Sequence, residues 1–415
     1  MDFQLSDDQR ALRSGMRDLL GAVFDRDWLR AAVERDGALD RPLWRELGAA
    51  GFFALRLPED EGGVGLGLPE AALLFEEAGR ALLPGPLVAT HLAAGRVKGA
   101  AEGEAVVTAV DGELPVAHLA EADAVLLVGG EAREAPQAPQ ARELPEARTL
   151  TGEALRAFLA AARPVRSMDP LTPLHRAPAG AAAAAGRVPT GRLPTAEGGR
   201  AASERTRADT DRAPVGSERP GADTGRVAGA GAGAYTGVGA DCVSGAVERT
   251  PAHAGRLRFE AALLTAAEQL GSAVRTTEAA VQHARDREQF GSPIGSFQAV
   301  KHLCADMLAR TEPARAAVYA AAVTGDPLEI AAAKLLADEA AVRNARDCLQ
   351  IHGGMGFTWE ADVHLHLKRA WLRAASWLTG AAAEELLAAG LGAAGPLPRS
   401  SAAYGRPVPE AGGEG

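Results

Sequence analysis

Two stretches decide how this chain is read: Arg287-Glu288-Gln289-Phe290-Gly291-Ser292-Pro293-Ile294-Gly295-Ser296-Phe297-Gln298 and Gln350-Ile351-His352-Gly353-Gly354-Met355-Gly356-Phe357. Each interrupts strong helical periodicity with glycine. Before the first, Leu263, Leu264, Ala267, Leu270 and Val274 recur on one helical face, which predicts a helix over 257–285. A second helix opens at Ser296. A third starts with Asp326 as N-cap and Pro327 in its first turn, runs to Leu349 and stops at Gly353-Gly354. A fourth is expected from about Asp362 to Gly390. Four helices with short connections make a bundle over 256–392, followed by a Pro/Gly/Ser-rich tail, 393–415, expected to fray.

Upstream, residues 1–103 read as an N-terminal helical domain. Ser6-x-x-Gln9 is a capping-box start, and helices are predicted over 42–47 and 68–83. The period changes in 104–175: 105–110 and 124–128 are short strand-like runs, but too little of the span is strand-like for a closed sheet, so a reduced β middle domain is expected. Residues 176–255 hold one Leu (Leu193), one Tyr (Tyr235) and no Ile, Phe, Met or Trp. Such a segment cannot offset its chain entropy by burial and is expected to be a disordered, low-complexity insertion. The fold class is therefore mainly α with a small β middle domain.

Composition excludes several functions. Lys+Arg 44 against Asp+Glu 54 gives a net charge of −10, unlike the basic stripe of a nucleic-acid binder. No apolar run is long enough to insert into a membrane. The start lacks a basic and apolar leader, and three scattered cysteines (Cys242, Cys304, Cys348) build neither a disulfide framework nor a zinc site, which points to the cytoplasm. His364-x-His366 on a helix points to two faces, so no metal is expected.

Arg287 could fork onto a phosphate or pyrophosphate with paired N–H donors, and the glycines would let a ligand approach the backbone. Gly353-Gly354 at a helix junction could favour an anion. Taken singly, the first stretch also reads as a plain helix-helix turn with one solvated arginine, and the second as a C-cap.

Taken together, the two stretches resemble the flavin-dependent acyl-CoA dehydrogenase family, above all actinobacterial-type subunits that act as heteromers. Leu57-Pro58-Glu59-x-x-Gly62-Gly63 and Glu76-Glu77-Ala78-Gly79-Arg80-Ala81 carry the likeness into the N-terminal domain. The resemblance implies FAD as cofactor and an acyl-CoA or other acyl thioester as substrate, undergoing α,β-desaturation. It assigns the FAD pyrophosphate of a neighbouring subunit to Arg287, with Gln289 and Phe290 beside it, the adenine end to Gln298, and the pyrophosphate lining to Gln350, Gly353 and Gly354. It also implies a homo- or hetero-oligomer.

The catalytic base is where the sequence departs from the family. Members usually place a glutamate twenty-seven residues beyond the Gln of Gln-x-x-Gly-Gly; from Gln350 that count reaches Trp377. A minority place it twenty-six residues before the motif arginine, which reaches Ala261 with Glu260 beside it, about 100° round the helix. Glu260 is thus a weak candidate base, and a non-catalytic partner subunit completing the FAD site of a homologous chain is the alternative reading.

Overall fold

The structure, a computed structural model, describes residues 4–112, 114–128, 147–178 and 254–393. Most of the expected insertion and nearly all of the tail lie outside the described residues.

Helix α1 (Asp7–Val23) begins at the capping box: the Ser6 hydroxyl accepts from Gln9 N and the Gln9 side-chain oxygen accepts from Ser6 N, each at 3.1 Å. Asp25 and Asp40 cap α2 (Arg26–Glu34) and α3 (Arg41–Ala49) in the same way, satisfying first-turn N–H groups that have no helical partner. Helices α4 (Leu68–Ala81) and α5 (Leu87–Ala93) are buried over most of their lengths. An aromatic cluster of Trp44, Phe52, Phe53, Phe75 and His91, with centroids 4.7–5.3 Å apart, fills the space between them.

The two strand-like runs form β1 (Val107–Asp111) and β3 (Ala124–Val128), paired in parallel, and β4 (Arg148–Leu150) adds antiparallel to β3. A second sheet has the order β2 (Val116–Ala117), β6 (Leu174–Arg176), β5 (Arg163–Val165), all antiparallel. Between β4 and β5 lies α6 (Gly152–Ala161), a helix absent from the sequence reading; Leu155 and Phe158 bury its inner face against the first sheet.

The bundle consists of α7 (Ala254–Asp286), α8 (Gln298–Thr324), α9 (Pro327–His352), α10 (Val363–Ala375) and α11 (Gly380–Ala393). Asp326 caps α9 through Leu328 N and Glu329 N at 2.8 and 3.1 Å. The expected fourth helix is corrected to two. Ser376 ends α10 in an extended conformation, Trp377 follows with φ 63°, a left-handed conformation, and Thr379 caps the start of α11. Buried polar bonds set the helix register: Gln269 donates to Asp338 and to the Ala370 carbonyl, both at 2.9 Å, and Asn344 donates to Met307 O and Thr311 Oγ1 at 3.0 and 2.9 Å. Lys334, wholly buried, pairs with Asp338.

Helix α7 is the spine, packing on α4, α8, α9 and α10. Its crossing with α4 requires glycine on both sides. A Cβ at Gly271 would lie 1.8 Å from the Glu76 carbonyl oxygen, and one at Gly79 would lie 2.0 Å from that of Glu268. Backbone cannot yield there as a flexible side chain would. Gly271→Ala is therefore expected to lower unfolding stability by about 2–3 kcal/mol or more through overpacking. Gly15→Ala, on an exposed turn of α1 with nothing within 4 Å, is expected to raise it by about 0.5–1 kcal/mol. Denaturant melts of the two variants check both signs.

Candidate functional site

The Arg287 stretch is a miniature hairpin. Strand β7 (Glu288–Gln289) pairs with β8 (Ser292–Pro293), and the two turn residues, Phe290 at φ 53° and Gly291 at φ 79°, take the paired left-handed conformation of a tight two-residue turn. Ile294 N donates to Arg287 O at 2.8 Å and closes its base, and Arg287 N donates to His283 O at 2.9 Å, tying the hairpin to the end of α7. The Phe290 side chain is 93% exposed and meets Phe297 edge-on at 6.1 Å.

The second stretch follows directly from α9. Gly353 has φ 59° and ψ −137°, a conformation reserved for glycine, and a short 3₁₀ turn, Gly353–Phe357, carries the chain away. The two stretches are neighbours because the His283 and His352 rings stack at 4.1 Å, 15° from parallel. His352 Nδ1 is 2.8 Å from the Cys348 carbonyl, which fixes it as the N–H donor to that oxygen. From the other side, α2 holds the loop after the glycines. Arg26 donates to Glu360 O at 2.6 Å and pairs with Asp362 at 2.7 Å, while Arg30 binds Trp359 O and Asp362.

Arg287, Gln289, Gln298, Gln350, Gly353 and Gly354 are all exposed, as is Phe290. Among the described residues, the Arg287 guanidinium has no hydrogen-bond or ion-pair partner. Space is open above Gly291, Gly353 and Gly354, where an added Cβ would meet nothing within 4 Å. An unengaged guanidinium beside two glycine turns fits a pyrophosphate: it offers paired donors and a backbone that a ligand can approach closely.

Neither residue weighed for the base stands at this surface. Glu260 is buried at the start of α7, where Arg56 and Arg256 donate to it at 2.9 and 2.8 Å. Burial pushes its carboxyl up, but the bond and charge of Arg56, followed by those of Arg256, outweigh burial and hold it below its ordinary range. A carboxylate so held is a poor proton acceptor. Trp377 is half-buried and lines a half-open pocket of about 150 Å³ whose walls include Val88 of α5, Thr108 and Asp111 of β1, Glu268 of α7 and Arg373 of α10. Its backbone N–H donates to the Asp111 carboxylate.

Sequence reasoning missed the charged residues around this pocket. Glu268 accepts from Arg373 at 2.8 Å, Asp169 pairs with Arg369 and Asp111 with Arg258. Burial raises the Glu268 and Asp111 carboxyls against their arginine partners and lowers Arg373 to about 10. Glu268 follows Ala261 by two helical turns on the same face, the one local signal that could have found it. Among the described residues, no group of three or more His, Cys, Asp or Glu could hold a metal ion, and no helix is long and apolar enough to cross a membrane.

Residues 6–99 match the acyl-CoA dehydrogenase N-terminal domain and residues 255–386 the acyl-CoA dehydrogenase C-terminal domain. The acyl-CoA dehydrogenase IpdE2 of Mycobacterium tuberculosis is 32% identical over 367 residues, covering 88% of this chain and 91% of that protein. Among solved structures, the ChsE4-ChsE5 complex from Mycobacterium tuberculosis aligns with TM-score 0.67 and 21% identity over 96% of this chain and 100% of that one. PigA with FAD and proline aligns with TM-score 0.67 and 18% identity over 95% and 100%.

Because the depressed Glu260 carboxyl stabilises the fold only while ionised, its contribution is present above pH 4.5 and lost as pH falls through the lower folded value. Glu260→Gln is expected to cost about 1–2 kcal/mol at pH 7. The gap from the parent should close in acid, as melts from pH 7 down to pH 3 would show.

Proposed function

We propose a role that starts from the family of this chain: it belongs to the acyl-CoA dehydrogenases. In a cytoplasmic oligomer that desaturates an acyl-CoA thioester at its α,β bond, it is the partner that completes the FAD site of a homologous chain, and that chain supplies the base. The observation that carries this reading is the Arg287 guanidinium, exposed and without a partner among the described residues, on the hairpin that the His283–His352 stack links to the Gly353-Gly354 turn.

Three further features support it. The family's usual base position holds Trp377, and Glu260 is clamped between two arginines. The pocket beside Trp377, about 150 Å³ and half open, does not by itself enclose a three-ring flavin. Glu268 at that pocket lies eighteen residues before the end of α7, about 27 Å along the helix from the exposed turns. The two places on one chain are thus far apart, and the turns face outward, toward a second subunit. FAD, when bound, would supply the hydride acceptor. This chain's part is to grip the pyrophosphate through Arg287, Gly353 and Gly354, with Gln289, Phe290, Gln298 and Gln350 around it. That ChsE4-ChsE5 is described as a complex agrees with a two-chain assembly.

Expressed alone, the chain should purify without stoichiometric flavin. Co-expressed with a homologous chain that carries the glutamate, it should give a yellow complex with one FAD per pair. Arg287→Ala in that complex should weaken FAD retention about tenfold to a hundredfold, the worth of a charge-assisted pair. A yellow homomer whose flavin is reduced by an acyl-CoA would overturn the partner role.

A further inference from the structure

Where the two motif stretches meet, the contact is a pair of imidazoles. His283 stands in the last turn of α7, and its carbonyl accepts from Arg287 N; His352 directly precedes Gly353. Both rings are half-buried, 4.1 Å apart and 15° from parallel. His352 Nδ1 donates to the Cys348 carbonyl, which leaves the Nε2 lone pair to accept a proton. Among the described residues the His283 ring has no hydrogen-bond partner.

The surroundings of the pair offer little to an imidazolium. Burial, then the charge of His352, then that of Arg287 hold the His283 imidazole below its usual range, and Asp286 offsets them only in part. Both Asp286 oxygens accept from the Gln282 amide, at 2.9 and 2.8 Å. On the α9 side, burial pushes the Cys348 thiol up to about 12 and keeps it neutral; of the charges acting on it, Arg275 belongs to α7 and Asp347 is paired with Arg310. From α8 comes Cys304, its thiol also raised by burial, and from α10 the apolar Val363 and Leu367.

A pyrophosphate at the surface of Arg287, Gly353 and Gly354 brings a negative charge on each phosphate, more than one guanidinium balances. The stacked imidazoles are tied through the backbone to both sides of that surface and can supply the missing positive charge. Two like charges 4.1 Å apart repel each other, so the pair takes one proton rather than two. We propose that binding of a diphosphate diester at this surface is coupled to uptake of one proton by the His283–His352 pair, so that the anion is gripped more tightly in mild acid than at neutral pH. This rests on the reading of the surface as a pyrophosphate grip. The coupling is reciprocal: an anion that raises the pair's affinity for a proton is itself bound more tightly by the protonated pair.

The probe is ADP-ribose, whose bridging diphosphate keeps its charge through mild acid, added to the full-length chain. Histidine Cε1–H resonances are followed from pH 5 to pH 8, with assignments from single His→Phe variants, and calorimetry in two buffers of different ionisation enthalpy counts protons. Without ligand the pair should titrate below 6.5. ADP-ribose should raise that step by about one unit, with affinity about fivefold higher at pH 5.5 than at pH 7.5. Proton uptake should peak near pH 6 and never exceed one per chain. The double variant His283→Phe/His352→Phe keeps two flat rings without proton acceptors, and its affinity for ADP-ribose should not change over that range. If that variant fails to fold, the proton count of the parent decides. ADP-ribose bound without proton uptake overturns the proposal and leaves the pyrophosphate grip standing. No binding at either pH also overturns it, whatever colour the co-expressed complex has, and proton-linked binding by a chain that never gathers flavin upholds it while the partner role falls.

Discussion

The crossing of α4 and α7 is the constraint from which the remaining architecture hangs. Gly79 and Gly271 let two helix backbones approach until each glycine faces the other helix's carbonyl, closer than any pair of side chains would permit. Acidic side chains next to that contact are turned away from it and buried, and each meets a cation. Glu76 accepts from Arg315 and Tyr319 at 2.7 and 2.6 Å, Glu77 from Arg17, and Glu268 from Arg373. A buried carboxylate is tolerable only when so paired, so one backbone contact brings with it ion pairs to α8, α1 and α10. The N-terminal helices and the bundle are thereby one packed body, sharing a core that runs from Trp44 and Phe75 to Leu270 and Ala337.

Helix α7 then distributes chemistry along its length. Its first turns carry Glu260 in a clamp of two arginines, its middle places Glu268 on the wall of the pocket beside Trp377, and its last turn places His283 against His352. The outer end carries the surface on which the proposed partner role rests. It ends in an exposed hairpin whose arginine finds no counter-ion among the described residues, and the loop beyond the glycines is braced by Arg26 and Arg30 of α2. Phe357 at 81% and Trp359 at 60% exposure continue this surface with apolar area, of the kind that interfaces favour.

Much of this was legible locally. Ser6, Asp326 and Pro327 mark helix starts by the chemistry of unsatisfied N–H groups, and Gly291 and Gly353 mark turns that other residues cannot make cheaply. The break at Trp377 was not read: Gly380 passes as an ordinary helix residue in an alanine-rich run, and a tryptophan with positive φ is held there by packing rather than by its own preference. Helix α6 was hidden by its short length beside strands that share its apolar composition. The pocket charges escaped for a different reason. Arg373 lies 105 residues from Glu268, and Arg369 lies 200 from Asp169, so no local pattern joins them.

By itself, the sequence determined the helical periodicity, the caps, the glycine turns and the paired motifs that identify the family, because each depends on residues a few positions apart and on backbone sterics. Only the tertiary structure decided the state of each charged group. Whether Glu260 is a free base or a clamped ion, and whether Arg287 is engaged or waiting, depends on which distant side chains folding brings within a few ångströms. Electrostatic interactions answer to distance in space and to burial, neither of which is written in the spacing along the chain.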